Sequence, residues 1–170
     1  MFLGIDYGTR KVSLAALPPS GGGAAPVVFS HFCRRNTYTA RSETQQLHHL
    51  AQLVVSWITA SSVHHACAPS YVVVERPWFG FNKDTGIRLA ATAGAISCTI
   101  FTAYPEVPID LVPPAKWKSE VVGDGRANKE DVMTWARNRN LKPENDDEAD
   151  AAAMAQSAFW RSQTKHPQTR

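Results

Sequence analysis

Apolar and polar positions alternate in short runs at the start of the chain. Three apolar runs occupy residues 2–5, 11–17 and 27–29, and the connection after the second run contains a loop at 18–23 that is rich in Pro and Gly. Short apolar runs separated by turn-forming residues are typical of sequential antiparallel strands. The pattern therefore predicts three strands in a meander.

The period changes after residue 42. Apolar residues recur every three or four positions over 43–60, which predicts a helix that Ser42 or Thr44 can cap. The continuous β-branched run at 71–74 predicts a strand buried on both faces. The remaining predictions are a largely buried helix over 84–100, a strand over 109–112 that Pro113 and Pro114 end, and helices over 129–138 and 147–160.

This order of elements indicates an α/β fold. Three meander strands followed by alternating helices and strands predict a mixed five-stranded sheet flanked by helices. The chain has 170 residues, which suits one domain over 1–170, with a flexible tail at about 162–170.

Composition excludes several classes of protein. Apolar residues make up 44% of the chain and charged residues 19%, which excludes a disordered chain, a coiled coil and a collagen-like fibre. The three cysteines are widely spaced, so neither a zinc ribbon nor a disulfide framework is expected, and a reducing, cytoplasmic location is the simplest interpretation. No signal peptide and no membrane span are expected.

Charge is unevenly distributed along the chain. Eighteen Lys and Arg against fifteen Asp and Glu give a net charge of +3. Five of the acids lie between Glu144 and Asp150. A weakly basic protein with a dense acidic segment is compatible with binding of a polyanion and of metal ions.

Four acids occupy unusual positions. Asp6 and Glu75 each end an apolar strand, and strand ends in α/β sheets commonly line a ligand site. Asp147 and Asp150 are three residues apart at the head of an Ala-rich helix, so they share one face. Carboxylates gathered in one pocket need cations, and hard oxygen ligands select Mg²⁺ or Mn²⁺. Two such ions are a known device for phosphodiester hydrolysis, which is the predicted chemistry.

An alternative explanation exists for the acids of the last helix. Acidic residues are common in the first turn because they favour the positive end of the helix dipole. Asp150 argues against that explanation because Ala and Met follow it and it faces packing. Glu75 is the strongest candidate, since an acid directly after a β-branched strand is seldom a mere surface charge.

Basic and aromatic residues accompany the acids. Basic residues surround the glycine-marked loop 121–125, where they can hold a phosphate backbone; without the nearby acids, a solvated loop would be the better explanation. Trp78, Phe79 and Phe81 follow Glu75 closely, and an exposed aromatic there can stack on an unpaired base, whereas core packing is an equal alternative for Phe79 or Phe81.

Taken together, these segments resemble the RuvC family of Holliday-junction resolvases, which has the RNase H-like fold. The resemblance rests on residues 3–10, 71–75, 118–129 and 147–155, in this order. It departs from the family at Tyr7, where Pro is frequent, and the loop 20–25 and segment 30–42 match nothing in the family pattern.

The resemblance implies a homodimer that nicks two strands of a four-way DNA junction symmetrically and leaves 5′-phosphate and 3′-hydroxyl ends. It implies about two Mg²⁺ ions per site, with Mn²⁺ as a substitute. The helix at 84–98 would form the dimer interface. The implied catalytic residues are Asp6, Glu75, Asp147 and Asp150, which also bind metal, with Lys118 and Lys129. The implied DNA-contacting residues are Trp78, Lys83, Lys116, Lys118, Arg126 and Lys129.

Three other functions compete with this one. A YqgF-type RNase H-like nuclease would act on structured RNA instead of DNA junctions. A non-catalytic DNA-binding relative would not need all four acids. Residues 4–9 are also similar to the phosphate loop of actin-like and sugar-kinase ATPases, but those proteins need two domains of this fold and the chain is too short for them.

Overall fold

The computed structural model describes residues 1–9, 11–19, 27–32, 42–78, 80 and 82–165. The elements in chain order are β1 Phe2–Tyr7, β2 Lys11–Leu17, β3 Val27–Phe32, α1 Glu43–His64, β4 Tyr71–Glu75, α2 Lys83–Ala103, β5 Ile109–Val112, α3 Pro114–Val121, α4 Lys129–Arg137 and α5 Asp146–Lys165. The predicted loop 20–25, residues 33–41 of the segment 30–42, and Phe79 and Phe81 lie outside the described residues.

The strands form one sheet in the order β3-β2-β1-β4-β5. β1 pairs antiparallel with β2, and β2 pairs antiparallel with β3. β4 runs parallel to both β1 and β5. The predicted α/β fold with a mixed sheet and helices is therefore confirmed.

The two faces of the sheet carry separate hydrophobic cores. On one face the side chains of β1 and β4 pack with α5, α3 and α4. On the other face they pack with α1 and α2. Because successive strand residues point to opposite faces, Phe2 belongs to the first core, whereas Leu3 and Ile5 belong to the second.

The helix α5 approaches β1 closely at Gly4. A Cβ atom there would overlap the backbone carbonyl of Ala151 and the backbone amide of Ala155, and it would stand 2.8 Å from the carbonyl carbon of Met154. The small side chain of alanine allows α5 to lie this close to the strand. Ala151, Ala152 and Ala155 are all buried. The small residues on both elements therefore bring α5 directly onto β1.

Capping explains where two helices begin. Ser42 is the N-cap of α1, as one of the two predicted alternatives, and it forms a capping box with Gln45. Asn128 forms a capping box with Asp131 at the start of α4. These caps satisfy backbone amides that have no partner within the helix.

The helix α3 was not predicted. Pro113 and Pro114 were interpreted as the end of a strand followed by a loop, but Pro113 is the N-cap and Pro114 the first residue of an eight-residue helix. Proline suits this position because its missing N–H would have no partner there and its φ angle is already helical. The predicted basic segment therefore begins on a helix.

An ion-pair network fixes α3 to α5 and β5. The Arg161 guanidinium on α5 donates to Glu120 of α3 at 2.6 and 3.1 Å and to Asp110 of β5 at 3.1 Å. The buried Ser157 hydroxyl donates to Glu120 at 2.7 Å, and the Tyr71 hydroxyl donates to Asp110 at 2.8 Å. The network joins four elements, α3, α5, β5 and β4, around one guanidinium group.

The helix α2 is long and apolar. By length and composition alone it could cross a membrane, a test that a helix packed in a protein core also passes. Ile96 and Ile100 are nevertheless buried against the sheet and α1. Ile87 and Phe101 are 62% and 58% exposed, which leaves apolar surface on the opposite side of this helix.

The last helix is longer than its prediction. It was expected over 147–160 and extends over Asp146–Lys165. Residues 162–165, expected to belong to a flexible tail, are therefore helical, and 166–170 lie outside the described residues.

Candidate active site

Asp6 and Glu75 lie at neighbouring strand ends. The strands β1 and β4 are parallel, and Ile5 pairs with Val74. The residues that follow this pair, Asp6 and Glu75, therefore lie side by side. Both side chains point toward α5, since Gly4 on β1 and Val73 on β4 occupy the same face two residues earlier. The topology thus places two acids side by side under one helix.

The first turns of α5 bring two further acids to this place. Asp6 has its pKa raised well above the ordinary value, first by burial and then by the charges of Glu75, Asp150 and Asp147. Burial, followed by the charge of Glu75, raises the pKa of Asp150 to about 7. We call Asp6, Glu75, Asp147 and Asp150 the acidic cluster, because the charges of Glu75, Asp147 and Asp150 each raise the pKa of another member.

Two lysines offset part of this charge. Lys11, the first residue of β2, forms an ion pair with Asp147 and lowers the pKa of Asp6. Lys118 lowers the pKa of both Glu75 and Asp150. Its ammonium group also donates to the Ala127 carbonyl at 2.8 Å, which holds it beside the cluster.

A buried indole contacts Glu75 directly. The Nε1 atom of Trp117 donates to Oε2 of Glu75 at 3.2 Å, and Trp117 is fully buried. Burial raises the pKa of Glu75, and the bond from Trp117 is the largest influence in the opposite direction. The carboxylate form of Glu75 is therefore favoured by a neutral donor as well as by Lys118.

Lys129 contacts an acid next to the cluster. Its ammonium group pairs with Asp146, which raises the pKa of Lys129 and lowers that of Asp146. Asp147 and Asp150 also raise the pKa of Lys129. Since the Lys129 side chain is 74% exposed, this pair stabilises the fold little, and Lys129 remains accessible to a ligand.

The acidic cluster fits divalent metal ions by its chemistry. It offers hard, negatively charged oxygen donors, and the buried Tyr7 hydroxyl beside it has no hydrogen-bond partner among the residues that the structure describes. Within the ranges given above, no three His, Cys, Asp or Glu side chains already stand in a metal-binding arrangement. Lys11 occupies one carboxylate oxygen of Asp147 through their ion pair.

The other predicted contact residues lie on the surface around the cluster. Trp78 is 71% exposed, and its ring lies over Gly80, where a Cβ atom would clash with it. Lys83 and Arg126 are exposed. Lys116 lies 3.7 Å from Glu120 and so belongs to the ion-pair network on α3 instead of the cluster.

Two residues at the site were missed by sequence reasoning. Lys11 was assigned only to a strand, and Trp117 was given no role. Their partners are 136 and 42 residues away, so no local pattern reveals these contacts. A charged residue that begins an apolar strand was the one available signal for Lys11.

Comparison with known proteins identifies the family. An α/β sheet with acids gathered at adjacent strand ends suits an enzyme that acts on phosphate esters with metal ions, a class that includes nucleases. Residues 2–157 match the family model described as "Crossover junction endodeoxyribonuclease RuvC". This match covers most of the chain, so the chain belongs to the RuvC family, as the resemblance predicted.

Individual relatives agree with the family match. The chain is 28% identical over 162 residues to the crossover junction endodeoxyribonuclease RuvC of Frankia alni, a match covering 94% of this chain and 77% of the relative. It is 28% identical over 163 residues to that of Corynebacterium diphtheriae, covering 94% and 93%. The solved structure of Thermus thermophilus RuvC in complex with Holliday junction substrate has a similar fold, with a TM-score of 0.71 and 23% identity over 96% of this chain and 97% of that one.

Proposed function

We propose that the chain is an endonuclease that resolves Holliday junctions and other branched DNA, and that its acidic cluster is the catalytic centre. Family membership supports the reaction, and the assignment of the site rests on the adjoining strand ends of Asp6 and Glu75, whose pKa values, with that of Asp150, are all raised. Acids that are held together against their own repulsion are typical of a site whose charge is completed by a ligand.

The proposed cofactor is Mg²⁺, with two ions per site and Mn²⁺ as a substitute. Asp6, Glu75, Asp147 and Asp150 would hold the ions, which supply an activated water and stabilise charge on the scissile phosphate. The fold that carries them is proposed to be of the RNase H-like type, since the meander β1–β3 is followed by β4 and β5 in parallel.

The lysines would act on the phosphate. Lys118 stands near Glu75 and Asp150, so its ammonium group can offset negative charge that develops on the phosphate oxygens. Lys129 is exposed beside Asp146 and can contact the same strand. Both roles require a positive charge at a defined position. The packed helix α3 provides such a position for Lys118.

The DNA would reach the site across an exposed surface. Trp78 offers an aromatic face for an unpaired base, as found where a junction opens. Lys83, Lys116 and Arg126 are exposed cations that can bind backbone phosphates without reading sequence.

The proposed active form is a homodimer that uses the outer face of α2. Ile87 is 62% exposed and lies within the predicted interface 84–98, and Leu89 is half-buried near it. Two sites related by a twofold axis would nick two strands of a junction symmetrically and leave 5′-phosphate and 3′-hydroxyl ends.

The direct test removes one cluster charge without changing shape. We expect Glu75→Gln to bind a synthetic four-way junction normally in Mg²⁺-free buffer but to cleave it at least about a hundredfold more slowly in Mg²⁺, because a metal-binding oxygen is lost. Binding is measured by gel shift and cleavage by the rate of product formation.

The matched control is Glu106→Gln, an exposed glutamate in the turn between α2 and β5, which should cleave like the wild type. The substrate panel should also contain a linear duplex, a fork, structured RNA and an RNA–DNA hybrid. Normal cleavage by Glu75→Gln would contradict the site, and cleavage of RNA in preference to the junction would contradict the function.

A further inference from the structure

We propose that Trp117 is a positioning residue that fixes the Glu75 carboxylate for metal binding. This inference rests on the proposed function, because it assigns a supporting role to a residue behind the acidic cluster. Its basis is the bond from the Trp117 indole to the Glu75 carboxylate at 3.2 Å, made by a side chain with no solvent exposure.

The chemistry of indole suits this role. Indole has one N–H, donates only, and does not ionise, so the bond keeps the same direction at every pH and never competes with the lysines for a proton. It engages Oε2 of Glu75 and leaves Oε1 for an ion. A carboxylate with one oxygen fixed has fewer rotamers to lose when it binds metal, which is how supporting donors around metal sites act.

The surrounding structure holds Trp117 rigidly. Its ring belongs to the same core as Tyr71 and Val73, the residues of β4 that precede Glu75 on the same face. The helix that carries it is tied to α5 and β5 through Glu120 and Arg161. The donor Trp117 and the acceptor Glu75 therefore lie on elements that are packed against each other, which fixes their relative position.

The same helix couples this bond to the neighbouring lysine. Lys118 follows Trp117 directly, and its ammonium group lies 5.5 Å from the centre of the Trp117 ring. Lys118 also lowers the pKa of Glu75 through its charge. One short helix thus presents a neutral donor and a cation to the same carboxylate.

The test compares two buried tryptophans. Trp117→Phe removes the N–H donor and keeps an aromatic ring, and Trp135→Phe makes the same change on α4, where the indole N–H is buried without a partner among the described residues. Mn²⁺ binding is measured from the loss of the paramagnetic resonance signal of the free ion as protein is added. Cleavage of a four-way junction is measured against metal concentration.

We expect Trp117→Phe to bind Mn²⁺ at least about tenfold more weakly, and to need a correspondingly higher metal concentration for half-maximal cleavage, as other supporting residues of metal sites do. The rate at saturating metal should fall much less, within about threefold. Trp135→Phe should match the wild type within about twofold in both measurements.

The outcomes separate the two proposals. Equal Mn²⁺ affinity of Trp117→Phe and wild type would overturn the positioning role and leave the proposed function intact. Failure of the wild type to cleave a junction would overturn the proposed function. If Trp117→Phe does not fold, replacement of Trp117 by benzothienylalanine keeps the shape, lacks the N–H, and is expected to give the same weakening; an unweakened analogue would overturn the role as well.

Discussion

At the scale of single residues, the raised pKa of the Asp150 carboxyl group makes the stability of the protein depend on pH. This pKa is raised to about 7, first by burial and then by the charge of Glu75. Because the raised pKa means that the folded, metal-free protein takes up a proton more readily than the unfolded chain, the free energy of unfolding falls as the pH rises from about 4 to about 7.

This gives a pH-dependent prediction. Asp150→Asn cannot ionise, so the metal-free variant should be more stable than the wild type at pH 8, on the order of 2 kcal/mol, and similar to it at pH 4. Chemical denaturation at both pH values measures the difference. Asp84→Asn, an exposed acid in the first turn of α2, is the control and should show no such gain at pH 8.

Addition of Mg²⁺ should reverse the order of stability of the wild type and Asp150→Asn. Mg²⁺ stabilises whichever state binds it, so the wild type should gain stability with Mg²⁺ at pH 8 and Asp150→Asn should gain less. An equal gain in both proteins would mean that Asp150 takes no part in metal binding.

At the scale of elements, the contact of β1 with α5 determines the geometry of the site. The absence of a side chain at Gly4 lets the helix backbone rest on the strand two residues before Asp6. The distance between the strand acids and the helix acids therefore depends on a residue that has no chemistry of its own.

Gly4→Ala should move α5 away from β1. We expect a loss of about 3 kcal/mol or more in the free energy of unfolding, because the added methyl group would meet backbone that has no free space. Gly94→Ala on α2 is the matched control, since a Cβ atom there meets nothing within 4 Å, and it should be neutral or stabilising by up to about 1 kcal/mol. Equal stability of the two variants, measured by thermal unfolding, would contradict the close contact.

Most elements could be predicted because their patterns are local. The run 71–74 and the helical spacing after Ser42 both identify their elements without tertiary information. The helix α3 could not be predicted, since eight residues contain only two buried apolar positions, Trp117 and Val121, and prolines begin it. In so short a segment, intrinsic helix propensity is outweighed by tertiary packing.

The same distinction applies to the candidate site. Asp6 and Glu75 were identifiable because strand ends are visible in the sequence, and parallel neighbours align them. That Lys11 would pair with Asp147 depends on the crossing of α5 over β2, which the sequence does not encode in any short pattern. Contacts between distant residues therefore marked the limit of prediction.

At the scale of the whole molecule, the outer face of α2 is the surface that should associate. We expect Ile87→Glu to weaken self-association at least about tenfold, because a charge in an apolar interface must be desolvated without a partner. Sedimentation velocity measures the monomer fraction, and junction resolution should fall with it while binding to a single duplex arm persists.

Val63→Glu provides the control for this prediction. Val63 is 78% exposed on α1, more than Ile87, and lies outside the proposed interface. Its variant should sediment like the wild type. A wild-type protein that sediments as a monomer at micromolar concentration would contradict the dimer itself.

In the proposed site, the ion pair of Lys11 with Asp147 would make metal binding an exchange of cations. A divalent ion bound to Asp147 would displace the Lys11 ammonium group. The displaced lysine, whose side chain is 44% exposed, would then be able to bind a DNA phosphate. Binding of the metal ion and binding of DNA would thus be thermodynamically linked through Lys11, and each would strengthen the other.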